Sequence, residues 1–360
     1  MKLQTVSQTG KELTDLVQQG TDVLRNEGIV PFVSVSSLYA GRPLWNTVTS
    51  RRPLGTNIFE REWDLLIILD ACRVDALRKY ANTVDFLGYP ERMWSVGSMS
   101  YEFALNTFRT QYSDVISETA YVCRNSLPDK ILVDQIHTNG RDSVTPLSQG
   151  YPKWDTVTAE TFAHYELVRP IANHADKALH PDCRTVPHVA TDRAIAVGRS
   201  GDFDRMIVHY NSPHLRFITN AIDWSPDETS METLMNGPDP IRDLEPEEKS
   251  YKPVKRGEVS RKTMFELYYR ELQFIMDYVQ ILLENVDAEN VAITADHGEG
   301  LGEMGIWGHP FGWPFPPVKT VPWATTTASN EGTYDPHFEP VNRQESDEEH
   351  KEFLKEMGYL

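Results

Sequence analysis

Cysteine, lysine and long apolar runs are all scarce in this 360-residue chain. Its three cysteines, Cys72, Cys123 and Cys183, lie far apart and form no CxxC pair, which argues against a disulfide framework or a cysteine zinc cluster. No apolar run is long enough to span a bilayer, and the N-terminus lacks the apolar core of a signal peptide. We therefore predict reduced thiols, no transmembrane segment and a cytoplasmic location.

Positive charge is also scarce, because 35 Lys and Arg stand against 53 Asp and Glu, giving a formal net charge of -18. Such a field repels nucleic acids, so we expect no nucleic-acid partner. Lysine contributes only 13 of the basic residues, and an acidic, lysine-poor surface is typical of a protein that stays in solution at high salt. The composition therefore predicts an acidic protein from a halophilic source.

The length suits one large domain that carries insertions. We predict an N-terminal helix and irregular arm over residues 1–60, followed by a larger domain over residues 61–360. We predict two insertions in this domain, one near residues 125–193 and one over the Pro-rich stretch near residues 220–256.

Two patterns describe the N-terminal arm. Apolar residues at helical spacing between Gly10 and Asn26 predict one amphipathic helix. The stretch Ile29–Thr56 is rich in Pro, Gly and Ser, which predicts an irregular connection.

Three continuous apolar runs predict strands that are buried on both faces, at Trp63–Leu69, Met206–Tyr210 and Val291–Ala295. A helical pattern over Ser260–Asn285 precedes the third run, as a crossover helix would. Each run ends in polar residues, and open parallel sheets bind ligands beyond the carboxyl ends of their strands. We predict an α/β fold, a three-layer α/β/α sandwich around a mostly parallel sheet, with a site at that edge.

Residues at two of these strand ends have the chemistry of metal ligands. Asp70 follows the first run, and Asp296-His297 follow the third. Carboxylate oxygens suit a hard divalent cation, imidazole suits a transition metal, and the glycines after His297 permit a tight turn. Each residue also has a structural alternative, as a helix cap for Asp70 and as a hydrogen-bonded turn residue for His297.

Hydroxyl and imidazole groups lie near these strand ends in the sequence. Ser98 and Ser100 precede the helical stretch FALNTF, so a hydroxyl is expected at a helix N-terminus, where an anion is favoured. Plain N-capping is the alternative for both serines. His214 ends the segment HYNSPH and His309 lies in GHP, and both are candidates for ligands, leaving-group acids or oxyanion contacts.

In their order, the segments LDACRVDAL, SVGSMSYEF, HYNSPH and ADHGEGLGEMGIWGHP resemble the motif series of the alkaline phosphatase/sulfatase superfamily, especially its sulfatase-like branch. The closing segment Phe353–Leu360 also resembles the short helix that ends many sulfatase-like chains. The resemblance implies an alkaline-phosphatase-like fold and a metal held by Asp70, Ser100, Asp296 and His297.

The same resemblance implies an activity. Ser100, preferred to Ser98, is the expected nucleophile, His214 the expected acid for the leaving group, and His309 the expected contact to the ester's oxygens. The expected cofactor is a divalent ion, with Mn, Mg and Zn all open. The expected substrate is a phosphate or sulfate ester, with a glycan as one candidate carrier.

Departures from the family pattern refine these expectations. No cysteine has the Cys-x-Pro/Ala-x-Arg context that is converted to formylglycine, since Cys72 is followed by Arg-Val-Asp, which argues against classical sulfatase activity. A single acidic residue, Asp70, ends the first strand, which predicts a one-metal site. Glu102 stands where relatives often carry a turn-forming Pro.

Two other functions remain open from the sequence. A transferase would pass a phospho-group to a glycan or lipid headgroup instead of water. A catalytically inactive relative would bind an anionic ligand or a partner on the same scaffold, since fold resemblance does not establish activity. The oligomeric state is not predicted.

Overall fold

In a computed structural model, the chain builds a seven-stranded sheet with helices packed on it and a two-stranded hairpin beside it. The structure describes residues 29–137, 152–168, 187–215, 217–220, 250–312 and 314–340, with single residues at 24, 222, 224, 230, 231 and 235.

Several sequence-based predictions fall on other residues. The amphipathic helix over Gly10–Asn26, except for Leu24, lies outside the described residues, as do Cys183 and the closing segment Phe353–Leu360. Only parts of the insertions predicted near residues 125–193 and 220–256 are described.

The strands are named in chain order. Their bounds are β1 Leu65–Leu69, β2 Glu91–Trp94, β3 Thr119–Cys123, β4 His164–Leu167, β5 Arg205–Tyr210, β6 Ala288–Thr294, β7 Gly300–Glu303, β8 Ile306–Gly308 and β9 Thr320–Ala328. The large sheet has the order β2-β9-β6-β1-β5-β3-β4, and β7 pairs with β8. Strand β9 runs antiparallel to its neighbours β2 and β6, and the other pairings in the large sheet are parallel.

The helices are named in the same way. Their bounds are α1 Ile29–Thr49, α2 Val74–Ala81, α3 Ser100–Thr107, α4 Ser113–Ser117, α5 Ser126–Leu132, α6 His188–Ser200, α7 Lys252–Lys255, α8 Arg261–Leu283 and α9 Pro316–Lys319. Helix α8 is the predicted crossover helix, and its N-terminus is capped by Ser260, whose hydroxyl accepts a hydrogen bond from Thr263 N.

Strand β1 lies at the centre of the sheet because all five of its side chains are apolar. Every one is buried, so neither face of LLIIL meets water. Its parallel neighbours are β5 and β6, in a register that places Ile67 beside Val208 and Ile293. On one face α8 packs against α2 and α6. The predicted α/β fold with a mostly parallel central sheet is therefore confirmed.

The irregular connection predicted over Ile29–Thr56 is wrong for most of its length, because α1 occupies it. The helix includes Pro43. Asn46 is buried, whereas Ile29 and Leu44 each expose 71% of their surface. A helix that turns apolar residues outward and contains Pro, Gly and Ser lacks the pattern by which a surface helix is predicted.

The cysteines and the helix lengths bear on two compositional predictions. Cys72 and Cys123 are free and buried, as predicted for reduced thiols. Within the part of the chain that the structure describes, no helix is both long and apolar enough to cross a membrane.

The central position of β1 predicts a large cost for a cavity there. Replacing Ile67 by Ala should lower the free energy of unfolding by about 2–5 kcal/mol, because the surrounding strands cannot close the space. The matched control is Leu54→Ala, since Leu54 is 43% exposed, and its expected change is within about 0.5 kcal/mol. Denaturant-induced unfolding measures both values, and equal effects would contradict the burial described here.

Candidate active site

The carboxyl ends of β1 and β6 bring Asp70, Asp296 and His297 together. Both strands are neighbours in the sheet, so the residues that follow them meet at one edge. Ala71 has a left-handed backbone with φ 63°, which turns the chain sharply after Asp70. Its N–H donates to Asp296 Oδ1 at 3.2 Å, and its carbonyl accepts from the hydroxyl of Tyr268.

The three side chains converge on a common point. His297 Nε2 lies 3.3 Å from Asp70 Oδ1 and 3.4 Å from Asp296 Oδ2. The potential ligand atoms of this group all lie within 4.8 Å of one another. All three residues are buried, so the cluster is shielded from bulk water.

Ser100 joins this cluster and Ser98 does not. Ser100 is the first residue of α3, and its Oγ lies 3.4 Å from His297 Nε2. The hydroxyl of Ser98 instead lies 2.6 Å from Glu102 Oε2 and 3.0 Å from the carbonyl oxygen of Pro310. The two serines therefore face different partners, although both are buried.

The donor set fits a divalent cation. Asp70 Oδ1 and Asp296 Oδ2 are buried and face one and the same nitrogen, His297 Nε2, at 3.3 and 3.4 Å. Two buried carboxylates carry a large desolvation cost, which a bound cation would offset. His297 Nδ1 is 2.8 Å from the Gly298 carbonyl, to which it donates, so Nε2 is left to act as a ligand. Oxygen and imidazole ligands together suit Mn, Mg or Zn.

A second group of ligand-type residues adjoins the first. His214 Nε2 lies 3.2 Å from His309 Nε2, and His309 Nδ1 lies 3.0 Å from Glu299 Oε2. The ring of His309 is centred 4.3 Å from that of His297, so both groups belong to one site. This second group also has the composition of a metal site. The one-metal site expected from the sequence therefore stays a prediction.

The charges of the site lower the pKa values of two carboxyl groups and raise the pKa of one imidazole. Burial alone would raise the pKa of Asp70, but the charge of His214 and the hydrogen bond and charge of His297 hold it well below its usual range. Burial likewise acts to raise the pKa of Glu299, and contact with His309 outweighs it and lowers that pKa. Burial acts to lower the pKa of His297, and the adjacent Asp296 and Asp70 raise it to about 9. Without a cation, the cluster therefore holds a proton on His297 at neutral pH.

Sequence reasoning missed three residues that hold the site together. Asn125 follows β3, and its Nδ2 donates to Asp70 Oδ2 at 2.9 Å. Glu299 holds His309, as described above. His209 is fully buried, and its Nε2 lies 3.7 Å from Asp296 Oδ2, while the hydroxyl of Tyr121 lies 2.9 Å from its Nδ1.

The rule that polar residues collect at carboxyl strand ends would have found Asn125, since β3 pairs with β5 in the same sheet. The strand TAYVC is short, however, and its apolar pattern is weak. The pairing of Glu299 with His309 joins residues of the turn before β7 and the loop after β8, and no local pattern reports such a contact.

No protein-family model matches this chain, and no curated protein matches it. Among solved structures, it is similar to the soluble domain of lipooligosaccharide phosphoethanolamine transferase A from Neisseria meningitidis, at 11% identity and a TM-score of 0.45, over 74% of this chain and 76% of that one. A putative sulfatase from Bacteroides thetaiotaomicron matches at 16% identity and a TM-score of 0.35, over 77% of this chain and 66% of that one.

The integral membrane form of the Neisseria meningitidis transferase matches at 12% identity and a TM-score of 0.42, over 75% of this chain. This chain spans 49% of that protein's length. Sulfatases and phosphoethanolamine transferases both belong to the alkaline phosphatase/sulfatase superfamily, whose motif order the sequence resembles. All these TM-scores lie below 0.5, so the reaction is inferred from the geometry of the site and not from these similarities.

The protonated state of His297 predicts that cation binding releases a proton. A cation that takes Nε2 must displace the proton held below a pKa of about 9. The apparent affinity for a divalent metal should therefore rise about tenfold per pH unit from neutral pH and level off above that pKa. Calorimetry near neutral pH, in two buffers with different ionisation enthalpies, should show release of about one proton per ion.

The control for this experiment is His297→Gln, which keeps a polar side chain but has no titrating nitrogen. Its residual metal binding should release no proton. Metal binding by the unmodified protein without proton release would contradict the assignment of His297 as a ligand.

Proposed function

We propose that this protein is a metal-dependent hydrolase of phosphate or sulfate esters in which Ser100 supplies the nucleophile. The observation that carries the proposal is the convergence of Asp70 Oδ1, Asp296 Oδ2 and His297 Nε2 beside Ser100 Oγ. Two buried carboxylates that share one imidazole nitrogen would be compensated by a cation, and a hydroxyl beside them is a group that a cation activates.

Asp70, Asp296, His297 and Ser100 would hold the ion. A divalent cation bound there would lower the pKa of the Ser100 hydroxyl and offset negative charge on the ester's oxygens. Asn125 keeps Asp70 oriented by donating to its other oxygen, and the carbonyl of Gly298 fixes the ring of His297.

Ser100 begins the chemistry. The Ser100 hydroxyl gives up its proton to solvent, and its Oγ forms a bond to phosphorus or sulfur while the bond from that atom to the leaving oxygen breaks. Because Ser100 is the first residue of α3, the free N–H groups at the helix N-terminus favour the ester's anionic oxygens nearby.

His214 and His309 are the two imidazoles assigned to proton transfer and to contact with the ester. Glu299 accepts from His309 Nδ1, so the Nε2 atoms of the two imidazoles face each other at 3.2 Å. Two unprotonated nitrogens at that distance would repel, so one proton is shared between them. We assign to His214 the transfer of a proton to the leaving oxygen and to His309 the contact with the ester's oxygens.

Release of the product needs an acceptor hydroxyl. Water attacks phosphorus or sulfur, the bond to Ser100 Oγ breaks, and the serine regains its proton. A sugar or lipid hydroxyl in place of water would make the same protein a transferase. The two reactions differ only in the acceptor hydroxyl, so the assay includes both.

The nucleophile assignment predicts different effects for the two serines. Ser100→Ala should lower turnover by about 10³-fold or more while retaining the bound metal, because Asp70, Asp296 and His297 remain. Ser98→Ala should keep turnover within about tenfold, because the amide of Ser98 still donates to Glu102. The assay is hydrolysis of nitrophenyl phosphate, phosphodiester and sulfate by metal-stripped protein, with Mn, Mg or Zn restored singly at low and high salt.

Each outcome of this assay has a meaning. Retained turnover in Ser100→Ala would refute the nucleophile assignment. Glycerol added as acceptor, with products identified by mass spectrometry, separates transfer from hydrolysis. A protein that binds no metal and turns over no probe, with or without glycerol, would be the inactive anion-binding relative instead.

A further inference from the structure

Helix α1 lies against the two loops that carry the active-site groups. Its Trp45 Nε1 donates to Glu102 Oε1 at 3.3 Å, next to the start of α3. Its Arg42 guanidinium stands 5.2 Å over the ring of Phe311, two residues after His309. One helix, which none of the family motifs includes, therefore touches the segments that present Ser100 and His309.

Glu102 transmits the first of these contacts to the nucleophile's turn. Its Oε2 accepts from Ser98 N at 2.8 Å and lies 2.6 Å from Ser98 Oγ. Glu102 is buried, and hydrogen bonds to a buried carboxylate are short and strong. Ser98 precedes Ser100 by two residues, so the carboxylate sets the path of the backbone that delivers the Ser100 hydroxyl.

Ser98 also connects this turn to the loop of His309. Its hydroxyl lies 3.0 Å from the carbonyl oxygen of Pro310, the residue after His309. Farther along that loop, Gly312 has a left-handed backbone with φ 72°, and a Cβ there would lie only 2.5 Å from Asn46 Oδ1 of α1. The helix and the loop are thus in close contact.

Lys319 supplies positive charge on the inner side of this contact. It is fully buried, and its Nζ lies 5.9 Å from the centre of a ring of Trp45. Its charge interacts with that of Glu102. Its carbonyl oxygen accepts from Ser95 N, five residues before Ser100. The carboxylate that fixes the turn therefore accepts from the indole N–H of Trp45 and interacts with the charge of a buried lysine.

The contacts of α1 with the two site segments are directional. They come from the indole N–H of Trp45 and the guanidinium of Arg42. Among the side chains of α1 that the structure describes, Asn46 and Thr49 are buried, and Ile29 and Leu44 are exposed.

We propose that α1 is a positioning element of the active site. Through Trp45 and Glu102 it fixes the turn that presents Ser100, and through Arg42 it fixes the loop that presents His309. The proposal rests on the proposed function, since it gives α1 a role in that reaction. It makes Trp45 and Glu102 positioning residues that contact neither substrate nor metal.

Trp45→Phe tests the proposal, because it removes the indole N–H and keeps an aromatic ring. We expect kcat to fall about tenfold with KM within about twofold, because a small displacement of a nucleophile slows attack more than it weakens binding. The affinity for the restored metal ion should not change. Glu102→Gln should lower kcat further, and the double variant should be no slower than Glu102→Gln, since both changes break one chain of contacts.

Trp63→Phe is the matched control. Trp63 is also a largely buried tryptophan whose Nε1 donates to a single acceptor, the carbonyl oxygen of Ile58 at 2.9 Å, but it lies in the core. It should reduce stability without changing kcat. Equal kcat values for Trp45→Phe and Trp63→Phe would overturn the positioning role while leaving the proposed function intact.

Hydrogen–deuterium exchange gives a readout that needs no turnover. Amides of residues 95–103 and 309–312 should exchange faster in Trp45→Phe than in the unmodified protein, and the control Trp63→Phe should leave them unchanged. Unchanged exchange in both segments would overturn the proposal. Faster exchange in a protein that turns over no probe would instead support the contact and refute the proposed function alone.

Discussion

The need to compensate two buried carboxylates governs the architecture of the site. Asp70 and Asp296 follow neighbouring strands, and one oxygen of each faces His297 Nε2, at 3.3 and 3.4 Å. Their charges raise the pKa of His297 to about 9, so a proton on this imidazole offsets part of their charge. Asn125 orients Asp70 by donating to its other oxygen.

The apolar strands and the polar residues that follow them made this part of the site predictable from sequence. Three runs of continuous apolar residues could only be strands buried on both faces, and the parallel sheet then placed their carboxyl ends at one edge. Asp70 follows the run Trp63–Leu69, Asp296 and His297 follow the run Val291–Ala295, and His214 comes shortly after the run Met206–Tyr210. The approach of these residues to one another could therefore be predicted from the order of the strands. The fold class and the central position of β1 follow from the same apolar pattern.

The residues that sequence reasoning missed owe their roles to contacts that no local pattern encodes. Glu299 meets His309 because the hairpin β7-β8 folds back on itself, and His209 faces Asp296 across the sheet edge. Helix α1 escaped prediction for a different reason. Amphipathic periodicity assumes that apolar residues face inward, and here Asn46 is buried while Leu44 is exposed.

Glu102 restricts a turn by hydrogen bonds, where a proline would restrict it by its ring. The turn before α3 presents Ser100, which we propose as the nucleophile, and a proline would restrict this turn through its fixed φ. Here a buried carboxylate does so through hydrogen bonds from the amide of Ser98 and the indole of Trp45. A proline acts alone, whereas a carboxylate needs donors from other segments. The stiffness of this turn therefore depends on α1, which lies outside the motif series, and motifs alone could not have located that dependence.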